Sequence, residues 1–345
     1  MTTEENLIRT MDELEERLSR PTTEDAEALS NMEGDLLILG VGGKMGPSLA
    51  RLARRAASMA GVDKRIIAVA RFSNRELRSE LEKDGIDTIQ ADLLDPVALR
   101  ELPDAPNVVF MAGRKFGTEG GEHLTWAMNA FLPGLVAQRF RSSKIVAFST
   151  GNVYRLRDIT RGGCDEDAPI SADGEYAQSA LGRERILQYG SYEWGTPTVL
   201  LRLYYAAELR YGVLVDIALA VYRKQPIDLR NGVMNFIWQR DANSVCLRSF
   251  AHCQSPPLVL NISGPETLSV RYIAQQFGQR FGIEPIFTSE ETTHALICNS
   301  TKAHRLFGYP TVTPQELFDW VAWWISHDGE LLNKPTHFDV QDGRF

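Results

Sequence analysis

Three glycines at three-residue spacing, Gly40, Gly43 and Gly46, lie between an apolar run, Leu36-Leu-Ile-Leu39, and a segment whose apolar residues recur at helical spacing. Strand, glycine corner and helix in that order predict a seat for a diphosphate. The free amides of a first helical turn and the positive end of the helix dipole both point at such a ligand. Gly40 permits the tight turn, Gly43 the close approach of backbone to pyrophosphate, and Gly46 the packing of helix on strand. Lys44 and Met45 belong to the same cradle, and Pro47 suits an early helical position, where a missing N–H costs nothing. The bland alternative is a strand-turn-helix without a ligand. A second apolar run, Arg65-Ile-Ile-Ala-Val-Ala70, follows about 20 residues later, as a dinucleotide-binding unit requires. That run ends in Arg71, where an acidic residue would hold the ribose hydroxyls and an arginine favours a 2′-phosphate, so the expected cofactor is NADP in preference to NAD.

The chain has 345 residues, 43% of them hydrophobic, enough for one large α/β domain with a smaller one attached. No apolar run reaches the roughly 18 residues that cross a bilayer. The first residues are acidic and lack a signal-peptide core, so a cytoplasmic protein without a membrane partner is expected. Cys164, Cys246, Cys253 and Cys298 form no C-x-x-C pair and have no histidine at metal spacing, which predicts buried thiols and neither disulfides nor a metal site. A net charge of −8, with no basic-aromatic stripe, weighs against nucleic acid as a partner.

Several elements must position the glycine corner. Leu7, Ile8, Met11, Leu14 and Leu18 recur among charged residues and predict an amphipathic helix over 4–19, ended by Pro21 and followed by a second helix capped by Thr22 or Thr23. One apolar stripe can be buried only once; a clasp on the chain's own domain is expected in preference to an oligomer contact. Helices are predicted over 74–83, 121–140 and 269–281. Apolar runs at 107–113, 144–150, 198–205 and 258–264 read as strands. Thr313 and Pro314 cap a last helix whose Trp320, Trp323 and Trp324 form a core stripe, and the tail from about 328 has no periodicity and should be loosely held.

The glycine spacing, Asp92-Leu93 after the third strand, Ala112-Gly113-Arg114-Lys115, Asn129, the strand ending Ser149-Thr150 before Val153-Tyr154, and Tyr176 together resemble the extended branch of the short-chain dehydrogenase/reductase superfamily, its epimerases and dehydratases. The resemblance covers about residues 34–326. It implies a Rossmann-type doubly wound parallel sheet with a smaller C-terminal α/β substrate lobe. The implied divisions are a helical extension over 1–33, an NAD(P)-binding domain over 34–204 to which 235–265 partly returns, a lobe built mostly from 205–326, and a tail over 327–345. By the same resemblance Asp92 and Leu93 meet the adenine edge, Ala112, Gly113, Lys115 and Asn129 line the cofactor site, Thr150 is the catalytic hydroxyl with Ser149 beside it, and Tyr176 is the acid–base. A homodimer through the helices beginning near 121 and 175 is implied as well.

The pattern breaks at one place. The family carries a lysine four residues after its tyrosine, one helical turn away, where an ammonium lowers the phenol pKa and holds the nicotinamide ribose. Here Tyr176 is followed by Ala180. Lys115 is the first replacement expected and Arg183, seven residues beyond Tyr176, the second. In the substrate half, Tyr205 stands where nucleotide-sugar enzymes place an asparagine, and Met234 where an arginine grips a diphosphate. Arg210 and Arg240 remain to neutralise a smaller anion such as a sugar acid. The expected activity is an NAD(P)-dependent oxidoreductase or epimerase acting on a carbohydrate-like alcohol or ketone. The alternative is a catalytically degenerate dinucleotide-binding sensor or scaffold.

Overall fold

The computed structural model describes residues 6–115, 117–334, 336 and 338. Seven strands, most of them rich in β-branched and aliphatic residues, pair in parallel: β1 (Leu36–Leu39), β2 (Ile66–Ala70), β3 (Asp87–Gln90), β4 (Asn107–Phe110), β5 (Lys144–Thr150), β6 (Thr198–Leu203) and β7 (Leu258–Ile262). Their order across the sheet is β7-β6-β5-β4-β1-β2-β3. β1, β2 and β4 are buried along their whole length because helices cover both faces, which is why these strands read as unbroken apolar runs. One face packs Leu49, Leu52, Ala53 and Ala56 of the helix Gly46–Met59 with Ala242 and Cys246; the other packs Leu99, Leu132, Val136 and Leu187. The chain winds outward from β1 in one direction through β2 and β3, and from β4 in the other. Such a fold leaves its ligand crevice at that reversal, beyond the strand C-termini. The architecture is the expected Rossmann-like α/β fold.

A second core gathers around the helices Val213–Tyr222, Val270–Phe281 and Pro314–Ser326, with short strand pairs Tyr205–Ala207/Phe236–Trp238 and Pro226–Asp228/Ile286–Thr288. Trp320 and Trp324 are buried in it, whereas Trp323 is half-exposed and stacks on His327 at 4.2 Å. Thr313 caps the last helix reciprocally with Glu316.

Two expectations need correction. The first helix spans Met11–Ser19 and does not begin near 4, because Thr10 takes the cap by accepting from the Glu13 amide at 3.2 Å; Glu4 and Glu5 lie outside the described residues. Its stripe, Leu14 and Leu18, joins the second core together with Ile8, while Glu15 bridges Arg51 of the Gly46–Met59 helix and Arg210 of the smaller lobe, each at 2.8 Å. The helix therefore packs within its own chain, across both cores. The tail is the second correction. Leu332 N donates to Arg210 O (3.0 Å), Thr336 N to Asp216 Oδ2 (2.7 Å), and Asn231 Nδ2 to Phe338 O (2.7 Å). Polar anchoring of this kind leaves no periodic signal in a sequence.

Among the described residues no helix is long and apolar enough to cross a membrane.

Candidate functional site

The glycine corner has the local chemistry its spacing predicts. Gly40 adopts φ +94°, and a Cβ there would lie 2.6 Å from Ala112 N; at Gly46 it would lie 2.1 Å from Val41 O. Both positions need glycine for the chain's own packing. Gly43 differs, since a Cβ would meet nothing nearer than Gly40 O at 3.6 Å. The helix that follows has no side-chain cap, which leaves its first-turn amides without a side-chain acceptor at the N-cap. Gln239 and Asn243 donate to Ser48 Oγ, both at 3.0 Å, and pin that first turn from the opposite helix.

Tyr176 and Thr150 are brought together by a buried charge network. Glu184 lies two turns beyond Tyr176 on the helix Gly174–Trp194 and accepts from Ser149 Oγ at 2.6 Å, from Arg202 Nη2 at 2.7 Å and from Arg202 Nε at 2.9 Å. Arg202 Nη1 reaches Tyr154 Oη, which donates to Asn261 Oδ1 at 3.0 Å. Side-chain exposure is 3% for Arg202 and 0% for Glu184, so neither charge has water as a substitute. The network holds the helix against the ends of β5, β6 and β7. Thr150, next to Ser149, shares a cavity wall with Tyr176 and donates to Asn152 Oδ1 at 2.9 Å.

Arg183 lies beneath this pair. Nη1 donates to Phe148 O at 2.7 Å and Nη2 to Asn129 Oδ1 at 2.8 Å, while its buried Nε has no partner among the described residues. The guanidinium passes so near Gly113 that a Cβ there would come within 2.5 Å of Nη2. Asn129 can serve it because the expected 121–140 helix is interrupted. Leu132 N bonds back to Ala127 O in a π-turn, Ala127–Phe131, since Pro133 has no N–H to give the Asn129 carbonyl. Asn129 is thus a buried brace for Arg183 and for the Arg114 backbone, and does not line the cavity.

A cavity of about 370 Å³ opens above these groups. Gly43, Lys44 and Met45 line it from the glycine corner, Gly113 and Lys115 from the loop after β4, Ser149, Thr150 and Tyr176 from the charge network, and Tyr205 and Tyr211 from the smaller lobe. Lys115 Nζ lies 5.8 Å from the Tyr176 ring centroid, and Lys44 Nζ lies 2.9 Å from that of Tyr211. Burial raises the Tyr176 phenol above its ordinary pKa, against the Thr150 hydrogen bond and the Arg183 charge, which both act to lower it. Burial lowers Lys115 to about 8. Lys44 falls to about 7, by burial first and then by repulsion from Lys334 and Lys115, with Asp216 and Glu208 opposing.

The remaining expected site residues fall elsewhere. Ala112 is buried behind the cavity. Arg71 and Asp92 are exposed at the ends of β2 and β3 with Leu93 buried beside them, on the side of the sheet away from Tyr176. Arg210 and Arg240, expected as anion holders, do not line this cavity. Arg210 is taken up by Glu208 (3.1 Å) and Glu15 (2.8 Å), and Arg240 by Asp25, Asp241 and the Arg20 carbonyl. The sequence reading missed Tyr211 and Thr336 as cavity walls, and the pairing of Glu184 with Arg202. An arginine inside the apolar run Thr198–Leu203 was the available signal for that pair, because a buried guanidinium demands a carboxylate.

No protein-family model matches the chain, and no curated protein matches it. Solved structures share its fold. The UDP-glucuronic acid 4-epimerase from Bacillus cereus, in complex with NAD, superposes with TM-score 0.70 at 16% identity over 85% of this chain and 98% of that one. A UDP-Glc/GlcNAc 4-epimerase from Campylobacter jejuni gives 0.69 at 17% over 84% and 98%, and a UDP-galactose 4-epimerase gives 0.66 at 19% over 85% and 99%.

Replacing Arg202 by methionine leaves the Glu184 carboxylate buried without its ion-pair partner and should cost about 3–5 kcal/mol. Urea unfolding would read this; the double variant Arg202→Met/Glu184→Leu should recover most of the loss, and a single variant as stable as the parent would contradict the assignment.

Proposed function

We propose that the chain is a nicotinamide-dinucleotide-dependent oxidoreductase or epimerase of the extended short-chain dehydrogenase/reductase type, acting on a carbohydrate-like alcohol or ketone. The observation that carries the reading is the placement of Thr150 and Tyr176 together on the wall of a cavity that the glycine corner also lines. The shared fold of NAD-bound epimerases supports it. The residues present fit the cofactor: uncapped amides open the Gly46–Met59 helix, and the space over Gly43 is not needed by the protein itself. Gly40 to Gly46 would hold the diphosphate, Asp92 and Leu93 the adenine, and Arg71 a 2′-phosphate. The nucleotide supplies hydride acceptance and return.

The chain's own residues supply the proton chemistry. Tyr176 exchanges the hydroxyl proton of the substrate, Thr150 holds the same oxygen, and Lys115 adds positive charge from the opposite wall. Arg183 takes over the electrostatic part of the work of the lysine absent at Ala180, acting on Tyr176 from beneath without touching substrate. The assembled tyrosine-hydroxyl pair favours an enzyme over a degenerate binding module. On the helices Glu122–Trp126 and Gly174–Trp194 and the π-turn between the first of these and the next helix, the large apolar or aromatic side chains Leu124, Trp126, Phe131, Tyr189, Tyr192 and Trp194 are exposed. We assign this surface to a homodimer.

Fluorescence titration with NADPH and NADH tests the nucleotide reading. Gly43→Ala should fold at the parental Tm yet bind at least about tenfold more weakly, as a methyl group intrudes on the diphosphate. NADP should bind more tightly than NAD, and Arg71→Ala should remove the difference; a parent chain indifferent to both nucleotides would overturn the function.

With a substrate in hand, Tyr176→Phe should lower kcat by roughly 10²- to 10⁴-fold. Arg183→Leu should shift the basic limb of the kcat/KM pH profile upward, and Arg183→Lys should restore part of it. An unmoved profile would leave Arg183 with a structural role only.

Sedimentation equilibrium should find a dimer that Phe131→Asp together with Tyr192→Asp converts to a folded monomer; a monomeric parent would refute the interface.

A further inference from the structure

Several neutral polar side chains on the wall that holds Thr150 and Tyr176 have their protons committed inside the chain. Ser149 Oγ donates to Glu184 at 2.6 Å, Thr336 Oγ1 to Asp216 at 2.5 Å, and Gln239 Nε2 to Ser48 at 3.0 Å. Asn152 differs. It lies half-buried on the same wall, and Thr150 engages both its Oδ1 and its backbone N–H. Its Nδ2 is accessible and has no partner among the described residues. A carboxamide donor left open in a ligand cavity recognises an oxygen acceptor.

The local backbone fixes where that donor stands. β5 ends at Thr150 and the chain passes at once into the 3₁₀ turn Gly151–Val153. Thr150 Oγ1 accepts from the Asn152 amide at 3.2 Å and donates to Asn152 Oδ1 at 2.9 Å. A hydroxyl has one proton and two lone pairs. Asn152 therefore takes the proton and one lone pair of Thr150, which holds the hydroxyl in one rotor and leaves a single lone pair for the cavity. One amide group separates the Thr150 oxygen from the open Nδ2. Oxygens on adjacent carbons of a ligand can meet both.

We infer that Asn152 is a positioning and specificity-determining residue of the proposed reaction. Its Oδ1 orients the Thr150 hydroxyl, and its Nδ2 donates to an oxygen on the carbon next to the reacting one, so the substrate is a vicinal diol or an α-hydroxyketone. This rests on the function proposed above and names its substrate class. An asparagine present only to close the turn would use Oδ1 and the backbone, and would not distinguish a ligand with the neighbouring hydroxyl from one without it.

The test uses the full chain saturated with NADPH, with saturation measured first. Loss of NADPH absorbance then follows the reduction of three pairs that differ in the hydroxyl beside the carbonyl: erythrulose and 4-hydroxybutan-2-one, glucose and 2-deoxyglucose, galactose and 2-deoxygalactose. At least one hydroxylated member should exceed its partner about tenfold or more in kcat/KM, as a lost hydrogen bond to a site built for it requires. Asn152→Ala should fold and should abolish that preference. Asn152→Asp keeps an acceptor for Thr150 and lacks the donor, so it should lose the preference as well, while losing less of kcat than Asn152→Ala. Equal losses of kcat in the two variants would remove the part assigned to Oδ1. If the parent prefers no hydroxylated member, or if either variant retains the preference, the inference fails while the nucleotide reading stands; failure of NADPH to saturate the protein would instead fell the reading beneath it.

Discussion

The placement of the site depends on one buried ion pair. Glu184 receives Ser149 from β5 and Arg202 from β6, and Arg202 passes the connection through Tyr154 to Asn261 on β7. Such a pair contributes little net stability over an apolar substitute, since both charges lose their hydration. Its effect is on register. Sliding the helix Gly174–Trp194 by one residue would leave a carboxylate and a guanidinium facing apolar side chains, so the helix has one acceptable position on the sheet. Tyr176, two turns from Glu184, and Thr150, next to Ser149, inherit that position. The close packing beyond Thr150 shows the same constraint, because a Cβ at Gly151 would fall 2.4 Å from the Tyr204 ring.

What could be read from the sequence follows the range of the forces involved. The buried parallel strands, the glycine corner and the capped helices at Thr22 and Thr313 are local, and each leaves a pattern within a few residues. Thr150 and Tyr176 were named by resemblance to a family pattern, and both line the cavity. The destinations of Arg210 and Arg240 were not legible, because their partners Glu15 and Asp25 lie 195 and 215 residues away in the chain. Long-range ion pairs have no periodic signature, and an arginine destined for one looks like an arginine available for a substrate. The tail was misread for a related reason: hydrogen bonds to Arg210 O, Asp216 and Asn231 hold it without any apolar rhythm.

Those same distant contacts shape the cavity. The Met11–Ser19 helix lies across the two cores, with Ile8, Leu14 and Leu18 buried in one and Glu15 and Glu16 reaching Arg51 and Arg55 of the other. The half-exposed ion pairs add only a few tenths to about 1 kcal/mol each. The apolar stripe contributes more, at about 1.5–3 kcal/mol for each fully buried leucine or isoleucine. Tyr205 and Tyr211, which wall the cavity from the smaller lobe, are therefore placed by packing outside the site, Tyr211 against Lys44. That arrangement allows a preformed cleft, with little reorganisation required of the protein when a ligand enters.

The cations around Tyr176 are divided in a way that a single lysine could not achieve. Ala180, one turn from the tyrosine, is buried in a largely apolar cluster with Val153, Tyr204 and Cys298, so a lysine there would have to bring its ammonium through an apolar surface. Seven residues beyond Tyr176, Arg183 reaches under the phenol by a deeper route, opened by the π-turn that turns Asn129 toward it. A guanidinium in that position remains charged even though burial lowers its pKa, and its fork fixes it to Phe148 O and Asn129 at once. Lys115, on the open side of the tyrosine, titrates near the working range instead. A permanent charge below and a responsive one above separate two tasks, biasing the phenol and meeting the incoming ligand. Separating them removes the need for one side chain to remain ionised for catalysis while yielding to whatever binds.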